Sequence, residues 1–137
     1  VIIVAVAVPL LGSGNYSVAR AAARRAASDL QYAQDTAIAT QKDITVTFDT
    51  ESESYLLSNE SGVLIHPITN SAYAIDFKGV KELSQLDIVA AFRGGSITFD
   101  TTGIPNPGGT LVLRAGDSTF NVTVSSMTGT VSVTAED

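Results

Sequence analysis

The sequence predicts an α+β protein, one long N-terminal α-helix packed on a C-terminal antiparallel β-sheet or β-sandwich domain. Three observations predict it. Residues 17–40 contain no Pro or Gly and are rich in Ala, Arg, Gln and Asp, a strong helix propensity over a long window. After Gln41 the apolar residues switch from helical spacing to alternation. From there to the C-terminus, short apolar runs are separated by Gly, Pro, Asn or Asp turns, the helix-first order of an α+β layout. The expected division is 1–42, an apolar and then amphipathic helix, and 43–137, a β-rich domain.

The chain opens with Val1-Ile2-Ile3-Val4-Ala5-Val6-Ala7-Val8, followed by Pro9-Leu10-Leu11. This run falls short of the roughly 20 apolar residues that a spanning helix needs. It reads as the second half of a membrane helix or as the remnant of a signal-peptide core, with residues upstream either cut away or outside this sequence. Pro9 and Gly12-Ser13-Gly14-Asn15 interrupt it. Pro9, Gly12 and Gly14 are the expected breakpoint, because Pro removes a backbone donor and Gly adds backbone freedom. Beyond them, Val18, Ala22, Ala26, Leu30, Ala33 and Ala37 share about a third of the helix circumference, the width of a buried stripe. This stripe is the expected packing and assembly face. Its small residues admit either the helix of a neighbouring subunit or a sheet of the same chain, while Arg20, Arg24, Gln31 and Asp35 point away.

Ile44, Val46 and Phe48 share one strand face, with Thr45 and Thr47 on the other. Asp49-Thr50-Glu51-Ser52 is a turn, and Tyr55 and Leu57 return in a first hairpin. Further strands are expected around 63–65, 73–77, 86–92, 97–99, 111–113, 120–124 and 131–133. Pro105-Asn106-Pro107-Gly108-Gly109 reads as a loop, and Ala115-Gly116-Asp117-Ser118 and Met127-Thr128-Gly129 as hairpin connections.

Composition narrows the function. With 137 residues the chain fits one domain plus an extension. It is 45% hydrophobic and only 16% charged, too apolar for a disordered tail and thin in charge for a cytosolic enzyme. The net charge of -6 repels phosphate backbones and disfavours nucleic-acid binding. With no Cys there is neither a disulfide framework nor a thiolate metal site.

The apolar start, the Pro within it, the Ala-rich amphipathic continuation and the β-domain together resemble the type IV pilin and type II secretion pseudopilin superfamily. Three stretches narrow this to the GspH/FimT type of minor pseudopilin. They are Ala19-Arg20-Ala21-Ala22-Ala23-Arg24-Arg25 through Asp29-Leu30-Gln31-Tyr32-Ala33-Gln34, then Ala37-Ile38-Ala39-Thr40, and Ile44-Thr45-Val46-Thr47-Phe48-Asp49. Ile97-Thr98-Phe99-Asp100-Thr101-Thr102-Gly103 and the stretch 126–133 fit the C-terminal strand and Gly-turn pattern of that type. Aligning Pro9 with the Pro of the family's apolar helix leaves the cleavage motif and the early glutamate outside this sequence.

The resemblance implies a structural subunit of a secretion pseudopilus or a type IV pilus. Its helix would hold it in the bacterial inner membrane as a single pass until an assembly machine extracts it into a periplasmic or extracellular filament. Its partners would be other pilin or pseudopilin subunits and the inner-membrane assembly machinery. It implies no cofactor, no small-molecule substrate and no catalysis. The runner-up is a secreted or membrane-anchored β-sandwich binding module.

Chemistry in the chain is sparse. His66, the only histidine, has no second ligand at metal-site spacing. Asp49-x-Glu51-x-Glu53 lacks the Gly and terminal Glu of a calcium loop and reads as a solvated turn. No Gly-x-Ser-x-Gly elbow accompanies the abundant Ser and Thr. Asn15, Asn59 and Asn121 begin glycosylation-like sequons of the kind chance supplies in such a chain. Arg20, Arg24 and Arg25 form a basic cluster suited to anionic headgroups or to acidic residues of neighbouring helices. Some FimT-type subunits are associated with DNA through basic C-terminal residues, but Arg93 and Arg114 are few against this acidic background.

Overall fold

The computed structural model describes residues 14–136. Helix α1 runs Gly14–Thr40, 27 residues, about 40 Å at 1.5 Å per residue. Pro9 and Gly12, and with them most of the expected breakpoint, lie outside the described residues. Gly14 and Asn15, expected within the interruption, are helical. A glycine costs a helix only about 1 kcal/mol, and Asn15 sits close against Gly116 in a hairpin of the domain. The helix stops at Thr40, where Gln41 adopts a left-handed φ of 58° and returns its side-chain amide to the Ile38 carbonyl at 2.8 Å.

The strands follow as β1 (Ile44–Asp49), β2 (Ser54–Asn59), β3 (Gly62–Val63), β4 (Ala74–Asp76) and β5 (Asp87–Ala91). Then come β6 (Ser96–Phe99), β7 (Pro105–Asn106), β8 (Gly109–Ala115), β9 (Ser118–Val124) and β10 (Val131–Glu136). All pair antiparallel in two sheets. One has the order β3-β2-β1-β6-β7, with β4 also on β2; the other has the order β10-β9-β8-β5. Alternation sets the register of each. Val46 stands between Leu57 and Ile97, and Val122 between Leu111 and Val133.

Two expectations change. Pro105 and Asn106 pair with Phe99 and Thr98 as a two-residue edge strand rather than lying free in the loop, a position where a missing Pro donor costs nothing. Tyr73–Phe77 shortens to β4, because Asp76 caps a 3-10 turn at Phe77–Gly79 by accepting from the Lys78 amide.

The core is continuous from helix to sheets. Ala19, Ala22, Ala23, Ala26, Leu30, Ala33 and Ala37 are fully buried together with Ile44, Leu57, Phe77, Ile97, Phe99, Leu111, Leu113 and Val122. The helix lies chiefly on β8, β9 and β10 and also touches β1 and β6. Alanines bring the backbone close, and the larger side chains of the strands fill the space between.

Candidate assembly surface

Five of the six stripe residues, Ala22, Ala26, Leu30, Ala33 and Ala37, are 0% exposed within the single chain, and Val18 is half-buried. Their occupant is this chain's own sheets. The opposite face carries Arg20, Arg24, Gln31 and Asp35, all exposed.

A polar latch joins helix to domain. Asp29 is buried on α1, where it accepts hydrogen bonds from the Tyr55 hydroxyl on β2 and from the Tyr73 hydroxyl, the latter at 2.5 Å. Arg25, one turn earlier, places Nε 3.5 Å from the same carboxylate. Burial raises the Tyr55 phenol well above its ordinary value, and the Asp29 charge adds to this. Tyr73 is raised in the same direction, by burial first and by its hydrogen bond to Asp29 second. Tyr32 and His66 flank the Tyr73 ring, with centroids at 5.1 and 4.4 Å. His66 Nδ1 accepts from the Ile68 amide at 3.1 Å and closes the 66–71 loop on itself. Composition gave no hint of the latch. A signal did exist, because Asp29 falls inside the angular range of the Ala stripe, where an acid must find donors.

A second polar contact pins two loops. Gln34 Nε2 donates to the Gly103 carbonyl at 2.8 Å and lies beside Gly129, in the turn between β9 and β10. Exposed apolar side chains of Ile38, Ile104 and Met127 surround this point.

The acidic turn does not converge. Asp49 accepts from the Glu51 and Ser52 amides, and those amides, Ser52 first, hold its carboxyl below the usual range. Glu51 is exposed, whereas Glu53, expected in a solvated turn, is buried and accepts from the Ile88 amide of β5. Asp100 caps the 100–104 turn after β6, its carboxyl held low by the Thr102 hydroxyl and then by the Ile104 amide. Among the described residues no cluster of three His, Asp or Glu side chains could hold a metal ion. Arg93, in a 3-10 turn, and Arg114, on β8, are exposed on separate elements. Asn121 lies in β9, while Asn15 lies in α1 and Asn59 at the end of β2.

The sequence model of the family described as "Type II transport protein GspH" matches residues 22–129. The chain belongs to that family. Solved structures agree on the fold. The minor pseudopilin EpsH from the type 2 secretion system of Vibrio cholerae superposes with a TM-score of 0.65 at 16% identity, over 85% of this chain and 96% of that one. The type IV minor pilin FimU of Pseudomonas aeruginosa superposes with a TM-score of 0.61 at 17% identity, over 86% and 97%. No curated protein matches in sequence. The GspH match spans the latch, the Gln34 pin and all the strands up to the turn before β10. Among the described residues, no helix is long and apolar enough to cross a membrane.

Proposed function

We propose that the chain is a minor pseudopilin or minor pilin, a structural subunit of a type II secretion pseudopilus or a type IV pilus. The GspH family match over residues 22–129 carries this reading. The physical layout supports it. A 27-residue helix is welded along one face to a β-domain, which leaves its outer face and its N-terminal extension for other subunits. The subunit catalyses nothing and works through protein contact surfaces. It waits in the inner membrane, held by the apolar stretch of residues 1–11, until the assembly machinery draws it into the filament. The stripe of Val18, Ala22, Ala26, Leu30, Ala33 and Ala37 serves assembly indirectly, by fixing how the β-domain is carried on the stalk.

The test is to express the gene's full product in cells that contain a prepilin peptidase and to determine the mature N-terminus by mass spectrometry. Cleavage just before the apolar segment, with an N-methylated first residue, is expected. Cleavage after that segment, or none, would overturn the reading in favour of a secreted or anchored binding domain.

A further inference from the structure

The sheet that holds β1, β2 and β4 carries an open groove of about 440 Å³ on its outward face. Tyr55 and Leu57 are buried beneath it, so alternation along β2 turns Ser54 and Leu56 outward. Register then sets two rows across the three strands. Thr47, Leu56 and Ala74 make a floor of methyl groups, and Asp49, Ser54 and Asp76 stand beside it. The same face continues past Ser58 to Val63, 44% exposed, and beyond Leu64 to Ile65, 61% exposed. Both acids are exposed, and among the described residues no cation of the chain lies within 4 Å of either. Each is held in place through Oδ1, Asp49 by the amides of Glu51 and Ser52 and Asp76 by that of Lys78. Among the described residues Oδ2 of each takes no hydrogen bond from the chain.

We propose that this groove docks an arginine carried by an apolar-flanked segment of another protein, its stem on Leu56 and Ala74 and its guanidinium between Asp49 and Asp76. Charge and spacing decide the occupant. Asp49 and Asp76 both pair with Ser54 from opposite sides, so two strand spacings separate them, about 10 Å at Cα. A guanidinium hydrogen-bonded at about 2.9 Å along both edges spans about 8 Å and fills that gap. One metal ion, which holds its oxygens at about 2.5 Å, is too small to bridge it. Phosphate and anionic lipid are repelled by the two acids and by the net charge of -6. Both carboxylates are open to water, so the ion pairs select the residue, while the floor, with Val63 and Ile65 beyond it, supplies the affinity. Tyr55 reaches Asp29 of α1 from the other face of the same strand, so a docked segment does not meet the helix. The surface goes beyond the filament-subunit reading and does not depend on it.

The probe is the peptide acetyl-Val-Arg-Leu-amide, titrated into the isotope-labelled full chain in dodecylphosphocholine micelles and followed by NMR of the backbone amides. Shifts confined to β1, β2 and β4 around Leu56 and Ala74 are expected. Asp76→Asn and Asp49→Asn keep the acceptor that caps each turn, and each should weaken binding about fivefold, the equivalent of one surface pair. Replacing the peptide's arginine by citrulline, which keeps the shape and removes the charge, should weaken it at least as much. Glu60→Gln, which removes the same charge from the turn between β2 and β3, should leave binding unchanged. Amide spectra that match elsewhere check that each variant folds. Equal weakening in Glu60→Gln would reduce the effect to net charge and overturn the groove. So would shifts scattered off these strands, or a citrulline peptide that binds as well. Calcium chloride that produces the same shifts would overturn the guanidinium as the occupant. Self-association through the same amides without peptide, released by Asp76→Asn, would overturn the foreign segment in favour of a second copy.

Discussion

Replacing Asp29 by Ala removes the acceptor of two buried phenols, from Tyr55 and Tyr73, while Arg25 loses its partner. Each donor left unsatisfied costs about 1–3 kcal/mol. Relief from burying a charge and the better helix propensity of Ala, about 0.5 kcal/mol, offset part of this. The expected net loss is about 3 kcal/mol, a large share of the roughly 5–15 kcal/mol that holds a domain folded. In urea, with a slope of about 2 kcal/mol/M, the midpoint should fall by about 1.5 M. The mechanism makes a sharper claim. If orphaned hydroxyls cause the loss, Asp29→Ala combined with Tyr55→Phe and Tyr73→Phe should recover at least half of it, since removing all partners leaves nothing unsatisfied. A triple variant less stable than Asp29→Ala would show that the rings' polar ends do not depend on Asp29. A single variant within about 0.5 kcal/mol of wild type would show that the latch adds no net stability.

Alkali tests the same phenols. Because folding raises both, the unfolded chain releases protons from about pH 10 while the folded chain keeps them. Stability is complete below that pH and falls above it, by up to about 1.4 kcal/mol per pH unit for each tyrosine; urea midpoints that stay level between pH 9 and 11 would contradict this. Ala26→Glu or Ala33→Glu buries an unpaired carboxylate against the sheets and should cost several kcal/mol by thermal melts, whereas Arg20→Glu should fall within about 0.5 kcal/mol; equal tolerance at all three positions would refute the stripe. Gly129→Ala adds a methyl 2.3 Å from Gln34 Nε2 and 2.5 Å from the Gly103 carbonyl at a φ of 76°, and should lose roughly 2 kcal/mol or more. Gly14→Ala, with nothing within 4 Å, should instead gain up to about 1 kcal/mol in the same melts.

Periodicity carries far in this sequence because the fold is built from it. The Ala stripe lies at helical spacing and is buried, and Ile44, Val46 and Phe48 alternate into the core with Thr45 and Thr47 outside or half-exposed. What stayed hidden depends on partners distant in sequence. Asp29 meets Tyr55 and Tyr73, 26 and 44 residues away, and Gln34 meets Gly103, 69 residues away. No local pattern encodes such pairs, and a single carboxylate among alanines reads as helix solubility unless its angle is counted. The burial of Glu53 is hidden for a related reason. Three acids in alternation suggest a solvated turn, but a φ of 55° at Glu53 turns its side chain inward to the Ile88 amide. Edge pairing by Pro105 and Asn106 is likewise a tertiary event, since a Pro-Asn pair followed by Pro107 and Gly108 carries no strand signal of its own.

The composition of the buried stripe explains why two polar anchors sit on the helix. An alanine side chain removes little apolar area from water, so the stripe draws its stabilisation mainly from the strand side chains that close over it, among them Leu111, Leu113, Phe120, Val122 and Val124. Such packing is close but nearly uniform along the axis. One alanine replaces another at the next turn with little change in shape, and the helix would slide or rotate by a turn at small cost. Asp29 and Gln34 are not interchangeable in this way. A one-turn slip would carry the Asp29 carboxylate about 5 Å from both hydroxyls and the Gln34 amide from the Gly103 carbonyl. Buried polar contacts of this sort contribute modestly to net stability but penalise every other register heavily. The prediction that separates register from stability is a spectroscopic one. In Asp29→Ala combined with Gln34→Ala, carried in a Tyr16→Phe and Tyr32→Phe background so that only Tyr55 and Tyr73 absorb, the 295 nm absorbance should rise with alkali before the helix melts, because the rings then reach water without unfolding. Coincident transitions would show that the Ala–strand packing alone fixes the helix.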